Sequence, residues 1–209
     1  MKVLIINGSP HNEKGNTYVA INEMLKTFKS EGVDTEVINV GDKNIPGCKA
    51  CYACYKTGKC VTNDIVNEVS AKLKLADGII VCSPVYYASA NGTLISFLDR
   101  LFYCSRYDKS MKVGASFACA RRSGACTTFD QLNKYFTINN MPVVSSNYWN
   151  NIYGMRPGEA NVDLEGKQVA RALALNMSFL IKSIALGKEK YGLPKNEKKV
   201  FTHFADGKK

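Results

Sequence analysis

The sequence predicts an α/β fold, a parallel sheet covered by helices on both faces. Two observations carry this. Short apolar runs alternate along the chain with stretches whose apolar residues recur at helical spacing. No repeat, low-complexity segment or linker interrupts that alternation, so residues 1–209 read as one domain.

In chain order, VLII (Val3–Ile6) forms the first strand. Ile21, Met24, Leu25 and Phe28 mark the first helix, and Gly32 is placed to stop it. TEVINV (Thr35–Val40) is a second strand, and Ile65, Val66, Val69 and Leu73 mark a second helix. GIIVCSP (Gly78–Pro84) reads as a buried third strand. Leu94, Phe97, Leu98, Leu101 and Phe102 mark the third helix. VGASFACA (Val113–Ala120) is a fourth strand, followed by a weaker helix over Gln131–Asn139. PVVSS (Pro142–Ser146) is the expected fifth strand, and a long helix runs from about Leu164 to Leu186. In such a sheet ligands bind beyond the carboxyl ends of the strands, where strand order reverses.

Composition narrows the function classes. An apolar fraction of 45% and a charged fraction of 22% are ordinary for a globular protein. No apolar run comes near the roughly 18 residues that span a bilayer, and MKVLIINGSP lacks a small-residue cleavage site. The expectation is a cytoplasmic protein with no membrane partner. Of the net charge of +10, much lies late, in Gly187–Lys209 with seven lysines against three acidic residues. It reads as a solvated basic tail or as attraction to an anionic cofactor or substrate. No nucleic-acid motif accompanies it. Eight cysteines without a secretory signal read as thiols or metal ligands rather than disulfides.

The loop NGSPHNEKGNT (Asn7–Thr17) leaves the first strand and enters the first helix. Helix N-terminal amides are unpaired and partly positive, so an anion is the natural guest. Ser9, Asn16 and Thr17 add short polar side chains, His11 a further donor, and Gly8 and Gly15 permit a tight backbone. Neither the GK[ST] ending of a P-loop nor GxGxxG is present. A loop of this kind suits a phosphate monoester such as that of flavin mononucleotide (FMN). A second stretch, SPVYYASANGTLISFLDR (Ser83–Arg100), follows the third strand. It sets Pro84, Val85, Tyr86 and Tyr87 where a flat ring would lie. ACARRSGAC (Ala118–Cys126) ends the fourth strand with small residues that let amides approach a ring's polar edge.

Together, in this order and spacing, GSPHNEKGNT and SPVYYASANGTLISFLDR resemble the NADPH-dependent FMN reductase family of flavodoxin-like proteins. The resemblance covers roughly the first 125 residues. It implies a flavodoxin-like three-layer sandwich whose five-stranded parallel sheet has the order 2-1-3-4-5. It also implies a homodimer or higher homo-oligomer with the flavin near the interface. By that resemblance Ser9, His11, Asn16 and Thr17 hold the phosphate, and Pro84, Val85, Tyr86 and Tyr87 line the isoalloxazine. Asn91 sits near it, and Arg121, Ser123 and Gly124 close the third side. Arg121 and Arg122 depart from the family's glycine-rich third loop.

GCKACYACYKTGKC spaces Cys48, Cys51, Cys54 and Cys60 as C-x2-C-x2-C-x5-C. Four thiolates this close could wrap a 4Fe-4S cluster. The spacing favours zinc less. The array resembles the compact motif of iron-sulfur flavoproteins, which share the fold, but cluster-free reductases of the family keep similar cysteines as thiols. Cys82, Cys104, Cys119 and Cys126 are scattered and read as buried thiols. No acid, base or nucleophile constellation is evident, so the flavin carries the chemistry. The favoured reading is an FMN-dependent oxidoreductase. It takes hydride from NAD(P)H and reduces a small-molecule acceptor such as a quinone, azo or nitro compound, or free flavin. The alternative is an iron-sulfur flavoprotein or flavodoxin-like electron carrier.

Overall fold

Val3, Leu4, Ile5 and Ile6 are each fully buried, and their side chains go alternately to two separate cores. A strand covered on both faces has no polar side, which is why this run is apolar throughout. The computed structural model describes residues 1–198 and Val200. The end of the basic tail lies outside the described residues.

The strands are β1 (Lys2–Asn7), β2 (Asp34–Asn39), β3 (Gly78–Tyr86), β4 (Ser89–Ala90), β5 (Val113–Ala120) and β6 (Asn151–Tyr153). The helices are α1 (Asn16–Ser30), α2 (Cys54–Thr57), α3 (Ile65–Leu75), α4 (Gly92–Cys104), α5 (Ala125–Thr137) and α6 (Leu164–Tyr191). Sheet order is β2-β1-β3-β5-β6, all parallel, with β4 an antiparallel spur on β3. With the two-residue spur set aside, this is the expected five-stranded flavodoxin-like order.

One layer packs α1 and α6 on the sheet, through Ile21, Met24, Phe28, Leu173 and Met177 against Val3, Ile5, Ile80 and Phe117. The other packs α3, α4 and α5, through Val69, Leu73, Phe97, Leu101 and Phe136 against Leu4, Ile6, Ile79 and Val81. Helix boundaries follow capping chemistry. Asp64, Asn91 and Asp163 each accept a backbone N–H of the first turn of α3, α4 and α6. Gly32, at φ +68°, ends α1, and the Val33 amide then reaches back to the Phe28 carbonyl.

Three boundaries differ from the sequence reading. The fifth strand is not continuous at Pro142–Ser146. Val143 makes an isolated bridge to Gly114, and the ladder resumes only at Asn151. The Ser146 hydroxyl donates to the Tyr148 carbonyl at 2.7 Å and accepts from the Tyr148 amide at 3.2 Å. This local closure competes with the ladder and lifts the chain out of it. Helix α5 starts earlier, at Ala125, just behind Gly124 in the left-handed region. Helix α6 runs on to Tyr191, and it is long and apolar enough by composition to cross a bilayer. Its apolar residues Val169, Ala170, Leu173, Ala174, Met177 and Ile181 are instead spent on the core.

Candidate functional site

The first functional loop is pinned by its own polar residues. Asn7 Oδ1 accepts the Ser9 amide at 3.0 Å, and the Gly8 amide donates to the Cys82 carbonyl at 2.8 Å. The chain then makes a single 3-10 turn, Asn12–Lys14, and enters α1 through Gly15. A Cβ at Gly15 would stand 2.6 Å from Ser9 Oγ, so a larger residue there would displace the Ser9 hydroxyl. Gly15 also has no side chain to cap α1, which leaves the first-turn amides facing the loop without a side-chain partner.

The loop, the end of β3 and the end of β5 meet in one cleft of about 190 Å³ at the carboxyl edge of the sheet. Ser9, His11, Asn16 and Thr17 line its floor, Pro84, Val85 and Tyr86 one wall, and Arg121 another. Ser9 and Thr17 are nearly fully buried, whereas His11 is exposed. Asn16 is tied elsewhere: its Nδ2 donates to the Arg156 carbonyl at 2.8 Å, and its Oδ1 accepts the Ala160 amide at 3.2 Å. It therefore anchors the chain after β6 over the start of α1.

The remaining expected residues flank the cleft rather than line it. Asn91 is buried as the cap of α4, accepting the Thr93 and Leu94 amides, and its own amide donates to Ser83 Oγ. Tyr87 is fully exposed at the tip of the β3–β4 hairpin. With Ala88 it forms a two-residue turn, both at positive φ (49° and 58°). Such hairpin turns prefer Asn-Gly, and a non-glycine residue held there costs about 1–3 kcal/mol. Ser123 and Gly124 lie in the turn before α5. A Cβ on Gly124 would come within 2.8 Å of Val85 and 2.7 Å of Ala88, so this glycine lets the third loop support the hairpin.

Three cleft residues escape the sequence reading: Cys119, Gly154 and Met155. Burial pushes the Cys119 thiol up to about 11, against the opposing pull of the Thr17 hydroxyl. Gly154 and Met155 lie beyond β6, a strand that sequence pattern places too early. Gly154 allows close approach, since a Cβ there would meet Asn16 Nδ2 at 2.8 Å. The Met155 and Arg156 amides both donate to Glu159 Oε2, at 2.8 and 2.9 Å. Those two bonds hold the Glu159 carboxyl below its usual range.

A second cavity, of about 200 Å³, lies under the loop between β2 and α3. Cys48, Cys51, Cys54 and Cys60 all line it, joined by Cys104 and Arg100 from α4. Cys48 and Cys51 are exposed, Cys54 and Cys60 half-buried. Ala50 and Tyr52 take left-handed backbone (φ 50° and 55°), folding the loop around the cavity. Among the described residues no three of His, Cys, Asp or Glu converge as they would on a single metal ion. A four-iron cluster makes a different demand, one cysteine on each of four separate irons. Four thiols around one cavity suit it.

The NADPH-dependent FMN reductase family matches residues 1–154. An iron-sulfur flavoprotein of Methanocaldococcus jannaschii is 36% identical over 196 residues, 88% of this chain and 99% of that one. Another from Methanosarcina thermophila is 29% identical, covering 91% of this chain and all of its own. Among solved structures, RosB with bound 8-demethyl-8-formylriboflavin-5'-phosphate superposes with TM-score 0.69 at 15% identity, covering 98% of this chain and 92% of that one. An archaeal flavodoxin superposes with TM-score 0.59 at 18% identity, covering 87% and 99%. The chain belongs to the NADPH-dependent FMN reductase family, close to the iron-sulfur flavoproteins, and is a flavodoxin-like flavoprotein oxidoreductase.

Proposed function

We propose that the chain holds FMN in the cleft and a 4Fe-4S cluster in the cysteine cavity, and delivers electrons to a small-molecule acceptor. The observation that carries this is the gathering of Cys48, Cys51, Cys54 and Cys60 around one cavity, while a separate polar cleft sits at the sheet's carboxyl edge. The full-length relatives named iron-sulfur flavoprotein support the same reading. FMN supplies one- and two-electron chemistry when bound. The protein's part is placement. Ser9 and Thr17 hydroxyls and the uncapped α1 amides would hold the phosphate. Val85 and Tyr86 would lie along the ring, and Arg121 would face its polar edge. At about 190 Å³ the cleft is smaller than the ~300–1,000 Å³ of sites that enclose a ligand. The flavin would therefore stay partly open to an acceptor or to a second subunit.

Single Cys→Ser changes at the four positions test this. Each should lower the iron and sulfide content of anaerobic protein, while FMN content stays at the wild-type level because the cleft is separate. Loss of FMN in step with iron would contradict the two-site arrangement. A second reading, direct reduction of the flavin by NAD(P)H with the cysteines as plain thiols, is favoured by the exposure of Cys48 and Cys51. It predicts that the same variants keep wild-type rates of flavin reduction by NAD(P)H.

A further inference from the structure

The four cysteines are not held alike. Cys48 and Cys51 stand exposed at the cavity mouth. Cys60 is fixed at both backbone and sulfur. Its amide donates to Asn67 Oδ1 at 2.8 Å, and its carbonyl accepts Asn67 Nδ2 at 3.0 Å. Its Sγ accepts Arg100 Nε at 3.4 Å and Nη2 at 3.3 Å.

Arg100 itself is buried, with its side chain 2% exposed. It projects from α4, the helix whose first turn is capped by Asn91 beside β3. A bare guanidinium in such a place would be costly. Asp64, the N-cap of α3, answers it with a bidentate pair, Nη1–Oδ2 at 2.6 Å and Nη2–Oδ1 at 2.8 Å. Nη1 also reaches the Pro46 carbonyl at 3.3 Å, and Nη2 shares its two hydrogens among Cys60, Asp64 and the Thr62 carbonyl at 3.2 Å. One side chain thus fastens both ends of the cysteine loop to α4, and spends two N–H bonds on a single sulfur. Cys60 Sγ is the acceptor the structure gives Arg100 Nε–H, so the fork and the sulfur hold each other in place.

We propose that Arg100 is the positioning residue of the cysteine site: it fixes Cys60 as the rigid corner of the cavity and, through its N–H bonds to that sulfur, raises the reduction potential of a cluster bound there. This rests on the cluster reading given above. Hydrogen bonds to ligating sulfurs stabilise the reduced, more negative cluster, because they draw charge off the sulfur. Lysine at this position keeps the charge but cannot reproduce the fork.

The test is Arg100→Lys in the full chain, reconstituted anaerobically with iron and sulfide beside wild type. The readouts are iron, sulfide and FMN content, the potential of each cofactor by redox titration, and the cluster's EPR spectrum. We expect FMN content and flavin potential to match wild type. The cluster's reduction equilibrium should fall at least tenfold, about 59 mV for a one-electron couple, with an altered EPR signal. A cluster of wild-type potential and spectrum in Arg100→Lys would overturn the proposal, leaving Arg100 a structural residue only. If Arg100→Lys loses FMN as well as iron, its fold has failed and Asp64→Asn decides. Removing that carboxylate leaves the guanidinium charge more fully on Cys60, so the cluster potential should rise. No rise would overturn the proposal. Wild-type protein that takes up FMN but no iron would instead sink the cluster reading, and the claim about potential with it.

Discussion

Ser9 and Thr17 show how a few side chains decide what the first loop can hold. Both hydroxyls are buried in a cleft whose nearest helix begins without a side-chain cap. Ser9 Oγ already accepts the His11 amide and the Thr17 hydroxyl bonds Cys119, so the loop holds both hydroxyls in fixed places. Each hydrogen bond to a charged group contributes about 1.5–3 kcal/mol. The Ser9→Ala, Thr17→Ala double variant should therefore bind FMN at least tenfold more weakly by fluorescence titration, with the apoprotein's fold unchanged. Wild-type affinity would move the phosphate elsewhere. At this scale the sequence was partly legible. Ser9 and Thr17 lie where the polar loop and helix entry put them. Asn16 is equally polar and equally close, yet its amide is engaged by Arg156 and Ala160, some 140 residues away. Pattern along the chain cannot reveal a partner at that separation. Cys119 was hidden for a related reason, since a thiol at a buried strand's end looks like any core cysteine until the neighbouring loops are in place.

Among the elements, those with continuous apolar signals were readable and the interrupted one was not. β1 and β3 announce themselves as apolar runs, and α4 by Leu94, Phe97, Leu98 and Leu101, all fully buried on one side. The last strand is split by the Ser146 turn, so sequence pattern does not reveal the segment after it, whose Gly154 and Met155 line the cleft. Glu159 is the clasp of that segment. Because its folded carboxyl lies below its ordinary value of 4.5, its contribution is complete above that pH and is lost as pH falls through the lowered value. Hydrogen exchange at the Met155 and Arg156 amides, corrected for intrinsic rates, should quicken in Glu159→Gln at neutral pH. In wild type it should quicken only below about pH 4.5. Equal protection in variant and wild type would show that the segment is held by its other bonds, those of Asn16 and Gly154 among them.

Across the whole molecule, two sites share one framework. α4 starts at Asn91, next to the β3–β4 hairpin of the cleft, and carries Arg100 and Cys104 at the cysteine cavity. The fold class was legible because alternating strands and helices admit few topologies, whereas the strand order is what the family resemblance implies. The relation between the two sites was not, because it depends on which face of α4 each residue occupies. Tyr87 is fully exposed, and Tyr86 and Tyr103 are exposed by 42% and 48%. Aromatic surface of this kind is typical of subunit contacts. Light scattering of the holoprotein should give a dimer or larger mass at micromolar concentration, and a monomeric mass would remove these tyrosines from any stable interface. Protein purified and kept without oxygen should show flavin bands over broad iron-sulfur absorption, with FMN near one per chain and iron and acid-labile sulfide each near four, about one cysteine per iron. Flavin bands with almost no iron or sulfide would contradict the cluster and leave a thiol-bearing flavin reductase in its place.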